Sequence, residues 1–199
     1  MERMQEAGGT RRWAGICPRD LITAVVIGVV VVGIVYALNW EGAGAGDSRS
    51  VDVAFNTAFP APRVDAPATD FGVTGLDGKT FRLSDFKGQP VWLNFWATWC
   101  PPCRAEMPDI NAVYAEYAPK GLNIVALSLG EDAETVRQYV QKADMKFTIG
   151  LDSRREIAAI YRLAGIPTHI FIDKDGIIRD IQIGGMSRDL MKKKLSKIM

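Results

Sequence analysis

The sequence predicts an α/β fold: a mixed sheet flanked by helices, with an N-terminal β-hairpin, preceded by one transmembrane helix. Three observations carry this. Apolar strand-like runs alternate with stretches of helical period and then end in a hairpin. The run Val91 to Ala97 is apolar on both faces, as in a covered sheet, and leads into Cys100-Pro101-Pro102-Cys103 and a helical pattern. Far upstream, Leu21 to Trp40 carries no charged residue.

That uncharged run is long enough to span the roughly 30 Å of a bilayer core as a helix. Arg3, Arg11, Arg12 and Arg19 precede it, and Glu41 and Asp47 follow it. The charge bias predicts a cytoplasmic N-terminus and an extracytoplasmic remainder. Ala43-Gly44-Ala45 resembles a signal-peptide cleavage site, but the apolar run is longer than a usual signal core, which favours an uncleaved anchor. Twin-arginine export through Arg11-Arg12 is disfavoured by the following Trp13-Ala14-Gly15. The organisation expected is a cytoplasmic segment (1–20), an anchor (21–40), a Gly-, Ala- and Pro-rich linker (41–67) and a folded domain (68–199).

Within that domain, Phe71 to Gly75 and Thr80 to Leu83 flank Leu76-Asp77-Gly78-Lys79, a hairpin signal. Ser84 to Gly88 reads as a turn. The helix after Cys100 places Met107, Ile110, Tyr114 and Tyr117 on one stripe, and Pro108 is expected to kink it. Leu122 to Leu129 is a buried strand. Ala133 to Ala143 is a helix with Val136, Tyr139, Val140 and Ala143 inward. Phe147 to Gly150 is a short strand, and Ser153 to Arg162 a helix packing Ile157, Ile160 and Tyr161. Thr168 to Asp173 and Ile177 to Ile183 form a hairpin about Lys174-Asp175-Gly176. Ser187 caps a last helix with Leu190, Met191, Leu195 and Ile198 inward; Lys192, Lys193, Lys194 and Lys197 read as its solvated end.

A net charge of +1 predicts no nucleic-acid partner. Three cysteines and one histidine, His169, argue against a structural zinc site, because a second Cys or His pair is missing; no metal is expected. Cys17 reads as a reduced bystander thiol, and His169 as a structural strand residue.

A thiolate is the attacking species in thiol–disulfide exchange. Cys100 is expected at the helix N-cap, where free amides and the helix dipole favour negative charge. Cys103, one turn inside, is expected to be the more buried. Cys100 then attacks and Cys103 resolves the mixed disulfide, with the Cys100–Cys103 disulfide as the redox group and no other cofactor. Pro101 and Pro102 have no amide hydrogen, so the Cys103 amide is the nearest donor left for the Cys100 sulfur. That predicts a less acidic Cys100 than glycine at either place would give, and hence a more reducing dithiol.

The stretch Leu93-Asn94-Phe95-Trp96-Ala97-Thr98-Trp99-Cys100-Pro101-Pro102-Cys103-Arg104-Ala105-Glu106-Met107-Pro108, with Gly165-Ile166-Pro167-Thr168, resembles the thioredoxin superfamily. It is most similar to the membrane-anchored extracytoplasmic TlpA/ResA-like branch of the cytochrome c maturation type, over about residues 60 to 199. The resemblance implies a thioredoxin-like sheet and a cis bond before Pro167, which would face the dithiol. It implies that the Ile166 backbone pairs with a substrate chain and that Glu106 tunes the cysteines and moves protons. The alternative for Glu106 is a solvated first-turn residue. Asn94 departs from general thioredoxin, which has an aspartate there; an amide cannot act as a base, so the proton task shifts toward Glu106 or water. Trp99 is expected to shield the sulfur and, with Pro101 and Pro102, to touch substrate, whereas Trp96 packs.

The function expected is that of a protein-disulfide reductase outside the cytoplasm. Apocytochrome c is the implied substrate, and a membrane thiol-relay protein the electron donor. Two other classes compete. A peroxiredoxin-related thiol peroxidase would need a Thr-x-x-Cys context, which Thr98-Trp99-Cys100 breaks. A tethered copper chaperone could use the dithiol, but no Met- or His-rich metal loop accompanies it.

Overall fold

The computed structural model describes residues 18–43 and 60–199. The expectations for Cys17, for the arginines before it and for linker residues 44–59 lie outside the described residues. Contacts divide the chain into a unit ending at Val53 and a unit beginning at Ala54. In the first unit, α1 runs from Pro18 to Ala43. Its described apolar side chains, from Ile22 to Val35, are each more than half exposed. Among the described residues no helix is long and apolar enough to cross a membrane. The stretch 22–35 would rise only about 21 Å as a helix.

The second unit is built on one seven-stranded sheet. Its strands are β1 (Gly72–Gly75), β2 (Thr80–Arg82), β3 (Val91–Trp96), β4 (Asn123–Leu129), β5 (Thr148–Asp152), β6 (Thr168–Ile172) and β7 (Ile178–Ile183). Their order is β2-β1-β5-β4-β3-β6-β7. β4 pairs parallel with β3 and β5, and the remaining pairs are antiparallel. The helices of this unit are α2 (Pro101–Tyr117), α3 (Ala133–Lys142), α4 (Glu156–Ile160) and α5 (Arg188–Leu195). This is the mixed sheet with flanking helices and a leading hairpin that the alternation predicts.

Strand alternation sorts the core into two layers. Trp92 and Trp96 of β3 pack with Cys100, Cys103, Met107, Ile110 and Met191 in one cluster. Leu93 and Phe95 pack with Val125, Leu127, Ile157, Tyr161 and Ile170 in the other. Both faces of β3 are therefore covered, which is why its sequence is continuously apolar. The α2 stripe includes Val113, fully buried, beside Met107 and Ile110; Tyr114 and Tyr117 are half-buried. α2 continues through Pro108 as one helix.

Two elements differ from expectation. α4 is confined to Glu156–Ile160 rather than filling 153–162. Arg155 enters it in the left-handed region at φ 59°, and Arg162 leaves it at φ 47°. The Asp152 carboxylate accepts from Ile157 N and Ala158 N, so the strand-end aspartate starts the helix late. The lysines of α5, with Lys197 just past its end, are also not simply a solvated end. Lys194 Nζ and Lys197 Nζ both reach Asp180 of β7, at 2.7 and 2.5 Å, and Lys192 Nζ reaches Glu116 of α2 at 2.6 Å. Burial works to raise the Asp180 carboxyl, but hydrogen bonds from both lysines outweigh it and hold the group below its usual range.

Candidate active site

β3 ends at Trp96, and the chain turns through Ala97, Thr98 and Trp99 to Cys100. The Cys100 amide donates to Ala97 O at 3.2 Å, closing the turn. Cys100 is the N-cap of α2, with extended backbone (φ −84°, ψ 108°). Its Sγ accepts from Cys103 N at 3.3 Å. An N-cap side chain normally accepts from the second or third helical amide. Pro102 removes the second, so one donor remains, as the sequence predicts.

Cys100 and Cys103 form a disulfide with Cα atoms 5.3 Å apart. Both are nearly inaccessible, 2 % and 1 % exposed, so in this oxidised form the expected difference in burial is very small. Pro101 and Pro102 are exposed beside them. Trp99 is 57 % exposed, whereas Trp96 is fully buried against Tyr139 with ring centroids 5.3 Å apart.

Glu106 lies one turn after Cys103 on the inward side of α2, 5 % exposed. The solvated reading of this residue is overturned. Its Oε2 accepts from Met186 N at 3.0 Å, and its Oε1 lies 3.3 Å from His169 Nε2. An added Cβ at Gly185 would sit 3.6 Å from Glu106 Oε2, so the backbone passes close to the carboxylate. Asn94 is fully buried opposite His169 in the β3–β6 register, and its amide atoms have no partner among the described residues.

The Ile166–Pro167 peptide bond is cis. Pro167 is buried, and its carbonyl accepts from Gly184 N at 2.8 Å. Thr168 Oγ1 donates to Gly165 O at 2.6 Å, tightening the same loop. Ile166 packs against the cluster that contains both cysteines. Among the described residues its backbone makes no hydrogen bond.

Sequence reasoning missed Glu131. This buried carboxylate accepts from Thr98 N at 2.9 Å and from Ser128 Oγ at 2.7 Å through Oε2. Its Oε1 takes a short hydrogen bond from Thr98 Oγ1. Glu131 thus grips the turn that delivers Cys100. The only available signal was its place just past the C-terminal end of β4, beside the C-terminal end of β3, where open α/β sheets gather functional groups. The next residue, Asp132, caps α3 through Glu134 N and Thr135 N, and so absorbed the obvious role for an acid at this point.

The arrangement is a dithiol/disulfide at a helix N-terminus, backed by a buried carboxylate and flanked by a cis-proline loop. Such a site can exchange its disulfide with that of a bound chain. Among the described residues no group of His, Cys, Asp and Glu could hold a metal ion. The AhpC/TSA family profile matches residues 64–181. The chain belongs to the AhpC/TSA family. It is 42 % identical over 132 residues to the thiol-disulfide oxidoreductase ResA of Bacillus thuringiensis, a match covering 66 % of this chain and 76 % of that one. The ResA of Geobacillus kaustophilus is 36 % identical over 144 residues, covering 72 % and 83 % of the two chains. Among solved structures, a thioredoxin-family thiol:disulfide interchange protein from Chlorobium tepidum matches with a TM-score of 0.62 at 29 % identity, covering 69 % of this chain and 99 % of that one. The chain is a ResA-like member of the thioredoxin superfamily, and its activity is that of a protein thiol-disulfide oxidoreductase.

One consequence of the two prolines is measurable. Pro102→Ala restores an amide donor to the Cys100 sulfur. It is expected to make Cys100 more acidic and to raise the reduction potential by about 30 mV, the equivalent of one charge-assisted hydrogen bond of roughly 1.4 kcal/mol. Redox titration against glutathione checks it; an unchanged or lower potential contradicts the account.

Proposed function

We propose that this oxidoreductase is tethered to the cell membrane by residues 21–40, with its N-terminus cytoplasmic, and works outside the cytoplasm as a reductant of protein disulfides, apocytochrome c foremost. The single observation that carries the reductive direction is the lone Cys103 amide on the Cys100 sulfur. With one donor, the thiolate gains less than at an N-cap with two, and a less stabilised thiolate favours the disulfide over the dithiol. The tether is supported by the uncharged run from Leu21 to Trp40 and by the arginines ahead of it. The exposed valines and isoleucines of α1 support it as well, since such a surface calls for an apolar environment.

The reaction balances as follows. The Cys100 thiolate attacks one sulfur of the substrate disulfide, and the displaced substrate thiolate takes up a proton. Cys103 gives its proton to Glu106 and attacks the Cys100 sulfur, releasing the second substrate thiolate, which is protonated in turn. Two electrons pass from the dithiol to the substrate. Trp99, Pro101 and Pro102 form the exposed rim the substrate meets. The Ile166 backbone, without a hydrogen bond among the described residues, pairs with the substrate chain beside Pro167. In an oxidising compartment the dithiol must be regenerated by a membrane thiol-relay donor.

Cys103→Ser tests the substrate. Without a resolving thiol, Cys100 stays covalently linked to what it attacks, so the full chain expressed in its own cells is expected to accumulate a mixed disulfide with apocytochrome c. If only other proteins are trapped, the cytochrome assignment fails while disulfide reduction stands.

A further inference from the structure

His169 takes no part in the reaction as written, yet it sits on β6, between β3 and β7, with no exposed surface. Its ring is hydrogen-bonded on one side and lies against a carboxylate on the other. Trp92 Nε1 donates to His169 Nδ1 at 3.2 Å, and the two rings lie 5.7 Å apart. An indole N–H can only donate. The nitrogen that accepts from it carries no proton, so the ring proton resides on Nε2. Nε2 is the atom that lies 3.3 Å from Glu106 Oε1. Neither atom has a hydrogen-bond partner among the described residues, so the two lie close without a formed bond. The other carboxylate oxygen is fixed by Met186 N.

The surroundings leave little else to engage the ring. Asn94 of β3 and Gln182 of β7 are its cross-strand neighbours. Gln182 Nε2 donates to Ile183 O. The charges farther along this face, Asp180 with Lys194 and Lys197, pair with one another. Glu106 is therefore the charged group that lies against Nε2.

We infer that His169 is a positioning residue for Glu106: Trp92 sets its tautomer, and its Nε2–H holds the carboxylate in place behind Cys103. The inference rests on the proton-handling role proposed for Glu106 and deepens it. The histidine itself neither touches substrate nor exchanges electrons. Little reorganisation is needed when the thiol proton moves, because one carboxylate oxygen already has its donor in Met186 N and the other lies 3.3 Å from His169 Nε2. The 3.3 Å separation is longer than a formed charge-assisted bond, and such contacts tighten when the reacting partner is engaged.

The test is single-turnover resolution of a preformed mixed disulfide across pH, using the full chain. His169→Leu is expected to slow resolution about tenfold and to displace its pH profile in the same direction as Glu106→Gln. His169→Gln, able to accept from Trp92 and donate to Glu106, is expected to return the rate to within about twofold of the parent. The His169→Leu/Glu106→Gln pair is expected to be no slower than Glu106→Gln alone, because the histidine acts only through the carboxylate. Parent-like rates and pH profile in His169→Leu overturn the inference, as does multiplication of the two single effects. If His169→Leu does not fold, Trp92→Phe carries the test: it frees the tautomer and should slow resolution about threefold, and no change overturns the inference. Slow Glu106→Gln with unaffected His169→Leu removes the histidine's role alone. An unaffected Glu106→Gln removes the glutamate's role and this inference together.

Discussion

Cys100→Ala is expected to bring disulfide reductase activity down by at least about a thousandfold, to the background of the assay. The side chain lost is the N-cap sulfur that takes the Cys103 amide and forms the disulfide. Cys103 cannot replace it: it lies one turn inside α2, 1 % exposed, within the buried cluster that includes Trp96, Met107 and Met186. The fold should survive, since alanine at an N-cap costs only about 1 kcal/mol. Insulin-disulfide turnover and a thermal melt on the same preparation check both halves. Activity within tenfold of the parent would sink the assignment of Cys100 as nucleophile.

Glu131→Ala is expected to cost about 3 kcal/mol of stability. Ser128 Oγ and Thr98 N would each be left without the acceptor they now share, Ser128 with no exposed surface and Thr98 partly buried. For a domain of this size that is a fall of about 10 °C in Tm. The turn before Cys100 would loosen as well, so reductase activity should drop even well below the new melting point. Glu131→Gln keeps two acceptor lone pairs and should lie between the two. A thermal melt unchanged in Glu131→Ala would mean that the carboxylate does not hold this turn.

Much of the fold was legible because its signals are local. The Asp77-Gly78 hairpin, the Ser187 cap and the continuous apolar run of β3 each depend on residues a few positions apart, and each appears where the pattern places it. The extent of α4 was not legible. Its start depends on the Asp152 side chain reaching forward to Ile157 N and Ala158 N, and periodicity carries no trace of that. The lysines of α5 were misjudged for a related reason. Their spacing describes a solvated face, but β7 brings Asp180 beneath two of them.

The site divides along the same line. From its sequence alone, this protein declares a dithiol at a helix start, two prolines that strip that start of donors, and a cis-proline loop known through resemblance. These lie within single turns or within motifs. What surrounds the dithiol was decided by tertiary structure. Glu131 meets Thr98 across 33 residues, Trp92 meets His169 across 77, and Glu106 meets the Met186 amide across 80. A buried carboxylate or imidazole needs hydrogen-bond partners to offset its loss of water. Those partners come from strands, and from loops at strand ends, made neighbours by sheet pairing, so the roles open to Glu106, Glu131 and His169 exist only once the chain has folded.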